Sequence, residues 1–218
     1  MARLKNLEPE PFGGKTGTFS ILARSENPIQ IGVAVASGST FVGTRVPHVK
    51  PGVGVVATQA YTNVVYGVEG LKLLEAGCSP EEALNKLLKE DLERQTRQVA
   101  IMDFAGRKAV FTGLSVPEWR GEIVGKNYIV IGNFLKSRQV IKSMAAAFEN
   151  SPGILAQRLC KALEAGAASG GDKRGERSAA LAIADHVRVL INLRVDVHET
   201  PIQEIIRQFK NGLADLKG

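Results

Sequence analysis

The sequence predicts an α+β fold in which two antiparallel sheets are stacked and flanked by helices, and three observations carry that expectation. Strand-like and helix-like segments come in blocks (three strands, two helices, a block of strands, two helices, two strands, one helix) rather than in single alternation, which argues against a doubly wound parallel sheet. Val53 to Ala60 is almost continuously apolar, as in a strand covered on both faces. A chain of 218 residues, 44% hydrophobic and 23% charged, has the composition of one globular domain with a sizeable core. Helices on the outer faces of two stacked sheets would use every apolar face.

The elements follow in order. Thr18 to Arg24 and Ile29 to Ser37 are β-rich runs separated by the turn cluster Ser25-Glu26-Asn27-Pro28, so they are expected to pair. Val53 to Ala60 should lie in the middle of its sheet. Val64, Val65, Val68, Leu71 and Leu74 recur at helical spacing and stop at Gly77. Ser79-Pro80-Glu81-Glu82 forms a capping box, and Ala83, Leu84, Leu87, Leu88 and Leu92 give the second helix its expected buried face. Strands are expected over Gln98 to Phe104, Lys108 to Thr112 and Glu122 to Phe134, the last broken at Gly125. Val140, Ile141, Met144 and Phe148 mark a third helix, Pro152 breaks it, and Leu155, Leu159, Ala162 and Leu163 mark a fourth. Ser178 to Ala184 and Val187 to Val195 read as a hairpin. Thr200-Pro201-Ile202-Gln203 then caps a last helix carrying Ile202, Ile205, Ile206, Phe209 and Leu213.

Composition narrows the function classes. No apolar run is long enough to span a membrane, and the first residues lack the apolar stretch of a secretory signal, so a cytoplasmic protein is expected. Cys78 and Cys160 are two isolated cysteines in helical contexts, which fits reduced thiols. The net charge of +6 arises in residues 104–218, with 17 basic and 11 acidic groups. There is no basic helix face or nucleic-acid motif, so nucleic acid is not an expected partner. The surplus instead favours a carboxylate-bearing small molecule. Gly52 to Ala57 matches a dinucleotide G-x-G-x-x-A string but follows a proline and runs into a strand. His48, His186 and His198 have no ligand-like spacing, so neither a cofactor nor a metal is expected.

Two segments stand apart. Gly170 to Ser178 packs three glycines and five charges between a helix and a strand; it reads as a solvated loop or as part of a site. Ala57 to Asn63 is a polar interruption where a buried strand enters a helix; it reads as a helix cap or as a place where free N–H groups bind an anion.

With these strings in view, TFSILA (Thr18 to Ala23), IGVAVAS (Ile31 to Ser37), PGVGVVATQAYTN (Pro51 to Asn63), RQVAIMD (Arg97 to Asp103), GGDKRGERSAAL (Gly170 to Leu181) and LRVD (Leu193 to Asp196) resemble, in that order, the domain-of-unknown-function 1028 family. That family is grouped with the N-terminal nucleophile (Ntn) hydrolases. The resemblance implies a four-layer αββα sandwich over residues 18–218, with residues 1–17 as an extension or a propeptide, and a homo-oligomer.

It also implies a chemistry, hydrolysis of a small linear or cyclic amide. In Ntn enzymes a threonine, serine or cysteine becomes the first residue of the mature chain, and its own α-amine serves as general base. Thr18 holds the matching position and Ser20 is the alternative. Members commonly begin Met-Thr-Phe-Ser, whereas here 17 residues precede the threonine, and Gly17-Thr18 resembles a self-cleaving junction. By the same analogy Lys50, with Arg45 as competitor, would lower the nucleophile's pKa. Backbone near Gln59 and Ala60, with Asn63 following, would line the oxyanion site. Asp172 would orient the amine, and Arg174 or Arg177, beside Ser178, would hold a substrate carboxylate. The rival expectation is an uncleaved, non-catalytic ligand-binding or assembly protein that keeps the fold.

Overall fold

The turn at Asn27-Pro28 closes a hairpin, and residues equidistant from it pair: Glu26 faces Ile29 and Thr18 faces Ser37. The computed structural model of the protein describes residues 17–215, with side chains to residue 212 inside the last helix. The segment expected as an extension or propeptide therefore lies, except for Gly17, outside the described residues, as does the side chain of Leu213. In chain order the strands are β1 (Thr18–Glu26), β2 (Ile29–Ser37), β3 (Pro47–Lys50), β4 (Gly54–Ala60), β5 (Arg97–Asp103), β6 (Lys108–Thr112), β7 (Gly121–Val124), β8 (Tyr128–Asn133), β9 (Ser178–Ala184) and β10 (Val189–Val195). The helices are α1 (Val65–Glu75), α2 (Pro80–Glu90), α3 (Gln139–Asn150), α4 (Leu155–Ala168) and α5 (Pro201–Asp215).

One sheet runs β10-β9-β2-β1-β8-β7 and the other β3-β4-β5-β6, and every strand pair is antiparallel. Strand alternation sorts side chains into three apolar layers. Phe19 and Ile21 point outward to meet Met144, Leu159 and Ile205 of α3, α4 and α5. Leu22 points inward and packs with Val33, Val55, Met102 and Ile131 between the sheets. Val56 and Ile101 face Leu71, Leu84 and Leu87 of α1 and α2. The order helices, sheet, sheet, helices is the four-layer αββα sandwich expected above.

Several elements differ in detail. The short strand β3 was not anticipated, and it makes β4 an interior strand as expected. The capping box of α2 is formed in both directions, but Leu92 lies beyond the helix and is 93% exposed. On α1, Val64, Val65 and Val68 are exposed, while Tyr66, Gly67, Gly70, Leu71 and Leu74 are buried. The His48 ring occupies the space a side chain at Gly67 would fill, so the helix meets β3 through that glycine. No described helix is long and apolar enough to cross a membrane.

Candidate functional site

The inter-sheet layer changes character at one end. Along each central strand the inward-facing residues are apolar until the last one or two, which are Thr18 and Ser20 on β1, Ser37 on β2, Gln59 on β4, Gln98 on β5, Asn133 on β8 and Ser178 on β9, all buried. Ser178, Ser37, Thr18 and Asn133 form one row across four neighbouring strands. Buried polar groups need partners, and most of these find them within the cluster, while Asn133 Oδ1 is left without one. Ser20 Oγ donates to Gln59 Oε1 (2.6 Å), and Gln59 Nε2 donates to Gln98 Oε1 (2.7 Å) and to the Thr18 carbonyl (3.3 Å). Asn133 Nδ2 donates to the same Gln98 oxygen at 3.0 Å. Gln98 Nε2 in turn reaches Thr112 Oγ1 and the carbonyls of Gly121 and Gly132, so the network ties β1 to both sheets.

Above this network lies the Gly17-Thr18 peptide. Its carbonyl oxygen accepts from Thr18 Oγ1 at 2.6 Å, Ser37 Oγ at 2.5 Å and Arg174 Nη2 at 3.3 Å. The two hydroxyls are themselves 3.1 Å apart. A hydroxyl nucleophile, a carbonyl and two further donors are thus assembled on one bond, with Thr18 only 3% exposed. The two donors other than the Thr18 hydroxyl, Ser37 and Arg174, withdraw charge from the carbonyl carbon, which favours attack there.

Asp172 holds this arrangement. It is 1% exposed, and its two oxygens accept from Gly38 N (2.8 Å), Arg174 N (2.9 Å), Arg174 Nε (3.1 Å) and Arg174 Nη2 (2.9 Å). Gly17 must be glycine because a Cβ there would strike that carboxylate. The loop itself turns through Gly170, Gly171 and Gly175, all at positive φ, and is anchored by Lys136 N on the Gly171 carbonyl and Lys173 N on the Phe134 carbonyl. Glu176 accepts from the Asp172 amide; burial raises its carboxyl above the ordinary value, and the Asp172 charge adds to the rise. The glycine-rich loop is therefore held against β1 and β2 through the buried Asp172.

The lysine expectation is corrected. Lys50 ends β3, is 41% exposed and binds Glu75 on α1 at 2.6 Å, away from Thr18. Arg45, before the start of β3, donates to the Thr40 carbonyl at 2.7 Å. Its guanidinium is held below the usual range by burial and by the charge of Arg174.

Other expected residues have structural roles. Gln59 contacts Thr18 through its side chain, while Gln59 and Ala60 pair in register with Gln98 and Arg97 on β5. Asn63 caps the start of α1, accepting from Val65 N on Oδ1 and from Tyr66 N on its carbonyl. Ser178 accepts from Val42 N and donates to the Ser39 carbonyl, pinning the loop after β2. Arg177 is tied by its backbone, its N–H donating to the Ser37 carbonyl. Among the described residues no group of three His, Cys, Asp or Glu is arranged to hold a metal.

Ser37, Ser39, Gln98 and Asn133 were missed. The signal for Ser37 was present, since a hairpin about Asn27-Pro28 places it opposite Thr18. A lone glutamine or asparagine in an otherwise apolar strand (RQVAIM, YIVIGN) was the signal for the other two amides.

Comparison with known proteins agrees with this architecture. No curated protein matches the chain. The crystal structure of a Silicibacter pomeroyi protein, also assigned to DUF1028, superposes with a TM-score of 0.84 at 34% identity, covering 89% of this chain and 88% of that one. Anbu, an ancestral beta-subunit from Yersinia bercovieri, matches at TM-score 0.42 and 13% identity over 91% of this chain and 96% of that one, a likeness too slight to argue from. A family model matches residues 18–205, beginning at Thr18 itself. The chain therefore belongs to the family of unknown function DUF1028.

Proposed function

We propose that the chain is the precursor of an Ntn-type amidohydrolase, with Thr18 as its nucleophile. The observation that carries this reading is the Gly17 carbonyl, which accepts from the Thr18 hydroxyl, the Ser37 hydroxyl and the Arg174 guanidinium together. In the first step Thr18 Oγ1 bonds to the Gly17 carbonyl carbon, with the charge on oxygen met by Ser37 and Arg174. The carbon–nitrogen bond then breaks, and the hydroxyl proton ends on the Thr18 nitrogen. Water hydrolyses the resulting ester, leaving a Gly17 carboxylate and a free Thr18 α-amine. The same hydroxyl, with that amine as base, then attacks a small linear or cyclic amide. We place the enzyme in the cytoplasm, in keeping with two free cysteines.

Intact mass of freshly purified and incubated chain tests the reading. Loss of residues 1–17 from wild type, with Thr18→Ala staying whole and Thr18→Ser still cleaving, is the expected result. A stable full-length wild type would remove the nucleophile from the account.

One observation favours the rival, non-catalytic reading. A groove of about 890 Å³ between β10, β3, α1 and α5 is lined by residues that include His48, Lys50, Leu71, Ala180 and Arg194, and by none of the Thr18 cluster. Retention of residues 1–17 would shift the ligand to that groove. A homo-oligomer belongs to both readings, and the exposed Val64, Val65 and Val68 of α1 are the face it would cover. Sedimentation as a monomer would overturn that part.

A further inference from the structure

The expectation that Arg174 holds a substrate carboxylate meets an obstacle in the geometry. Arg174 is already bound on two nitrogens by Asp172 and donates to the Gly17 carbonyl. Asp172 is equally committed, because each of its oxygens accepts two hydrogen bonds and a carboxylate has about four acceptor positions. Arg45 and Arg177 are the arginines left over, and it is Arg45 whose charge meets that of Arg174. The Arg45 guanidinium donates to the Thr40 carbonyl, while Arg174 reaches the neighbouring Ser39 hydroxyl at 3.4 Å. Two guanidiniums thus sit on consecutive residues of one loop, and the Asp172 carboxylate beside them is saturated. Among the described residues Arg45 makes no ion pair, and a half-buried unpaired charge is a standing cost that an incoming anion relieves.

The same loop carries a second unexplained feature. Phe41, between Thr40 and Val42, is 45% exposed and is held at φ 57°, ψ 32°, the left-handed region that a bulky side chain seldom adopts. Its backbone is used, donating to the Asp196 carbonyl at 2.9 Å, yet its ring is spent on solvent. Strained backbone of this kind clusters where ligands are held. An exposed apolar ring on the loop whose Thr40 carbonyl an uncompensated guanidinium holds suits a molecule that has both a hydrocarbon part and a carboxylate.

We infer that the loop from Gly38 to Arg45 is the recognition edge of the Thr18 site and takes an acyl amide bearing a free carboxylate, of the N-acyl amino acid class. The carboxylate lies on the Arg45 guanidinium and the hydrocarbon part on the Phe41 ring. Arg174 stays with Asp172 and, until residues 1–17 leave, with the Gly17 carbonyl. This identifies the substrate class for the amidohydrolase proposed above and rests on that reading, but binding does not require Thr18 to react.

Calorimetric titration of the full chain with N-benzoylglycine and with its methyl ester tests the inference. The acid should bind wild type and Thr18→Ala alike, about tenfold or more tighter than the ester, as expected for one charge-assisted contact. Arg45→Met should erase the difference. Arg45→Lys, which keeps the charge but loses the planar fork, should reduce it without erasing it and guards against a merely unfolded variant. Phe41→Ala should weaken acid and ester equally. Equal binding of acid and ester, binding of neither, or a preference that survives in Arg45→Met would overturn the inference, even if residues 1–17 are released. A preference that depends on Arg45 in a chain that never cleaves would uphold the recognition edge and sink the hydrolase.

Discussion

Ser37→Ala separates the chemistry of the Gly17-Thr18 bond from the stability of the fold. The Ser37 hydroxyl gives the Gly17 carbonyl its shortest bond, 2.5 Å, lies 3.1 Å from the Thr18 hydroxyl, and accepts from Ser39 N at 3.1 Å. Removing it deletes one donor to a developing oxyanion, which costs about 10²–10³-fold in rate in comparable sites. The structural loss is smaller: Ser39 N is left without that acceptor, at about 1–2 kcal/mol. Cleavage would be followed by intact mass over time and stability by urea unfolding. The expected pattern is a cut slowed by two orders of magnitude or more in a chain that still unfolds cooperatively, with Ser37→Thr restoring much of the rate. A Ser37→Ala chain that cleaves within about threefold of wild type would refute the oxyanion assignment.

Other outcomes follow from the same geometry. Asp172→Ala should lower stability by about 3 kcal/mol, because it leaves Arg174, whose side chain is 27% exposed, and Gly38 N without their acceptor; an unchanged urea midpoint would contradict this. Glu176 is pushed above its ordinary value of 4.5 by burial, so the folded state favours its protonated form. Its contribution is present below that value and is lost as pH rises through the raised folded one. Glu176→Gln should keep the bond to the Asp172 amide and flatten this decline, measured by urea unfolding at about pH 4 and about pH 7. Burial pushes the Cys160 thiol up to about 12, so iodoacetamide should modify only Cys78 in the native chain and both cysteines in urea; native modification of Cys160 would contradict its burial.

Much of the fold was legible because local signals agreed with tertiary need. The Asn27-Pro28 turn, the Ser79 capping box and the β-rich runs that became β1, β2 and β9 each point to the element found. The valines of α1 misled because a valine stripe marks a core face only when the facing layer has room. Here the His48 ring fills that room and only Gly67 tolerates it. Leu92 misled because the helix ends at Glu90, and Asp91 leaves it to bind Arg97 (2.8 Å) and Tyr66 (3.0 Å).

The site was legible in part. Thr18, Gln59, Asp172 and Arg174 do converge; the strings of Gln59, Asp172 and Arg174 stood apart in the sequence, whereas Thr18 came from the resemblance alone. Lys50 was chosen by its distance along the chain from Thr18, but β3 carries it away from Thr18 and α1 supplies its counter-charge. Chain spacing sets a side chain's direction only when the strand's start and parity are known, and the four-residue β3 gave neither. The saturation of Asp172, which turns attention from Arg174 to Arg45, is a property of three-dimensional hydrogen bonding that no string displays.

The central claim is that Thr18 Oγ1 can displace its own amide nitrogen from the Gly17 carbonyl. Hydroxylamine tests it directly, since it traps an ester but spares an ordinary peptide bond under mild conditions. Full-length chain treated at neutral pH should yield a fragment beginning Thr-Phe-Ser-Ile and a Gly17 hydroxamate, and the cut should be absent from Thr18→Ala. A wild-type chain that stays whole in hydroxylamine, or that is cut equally with and without the Thr18 hydroxyl, would contradict the account.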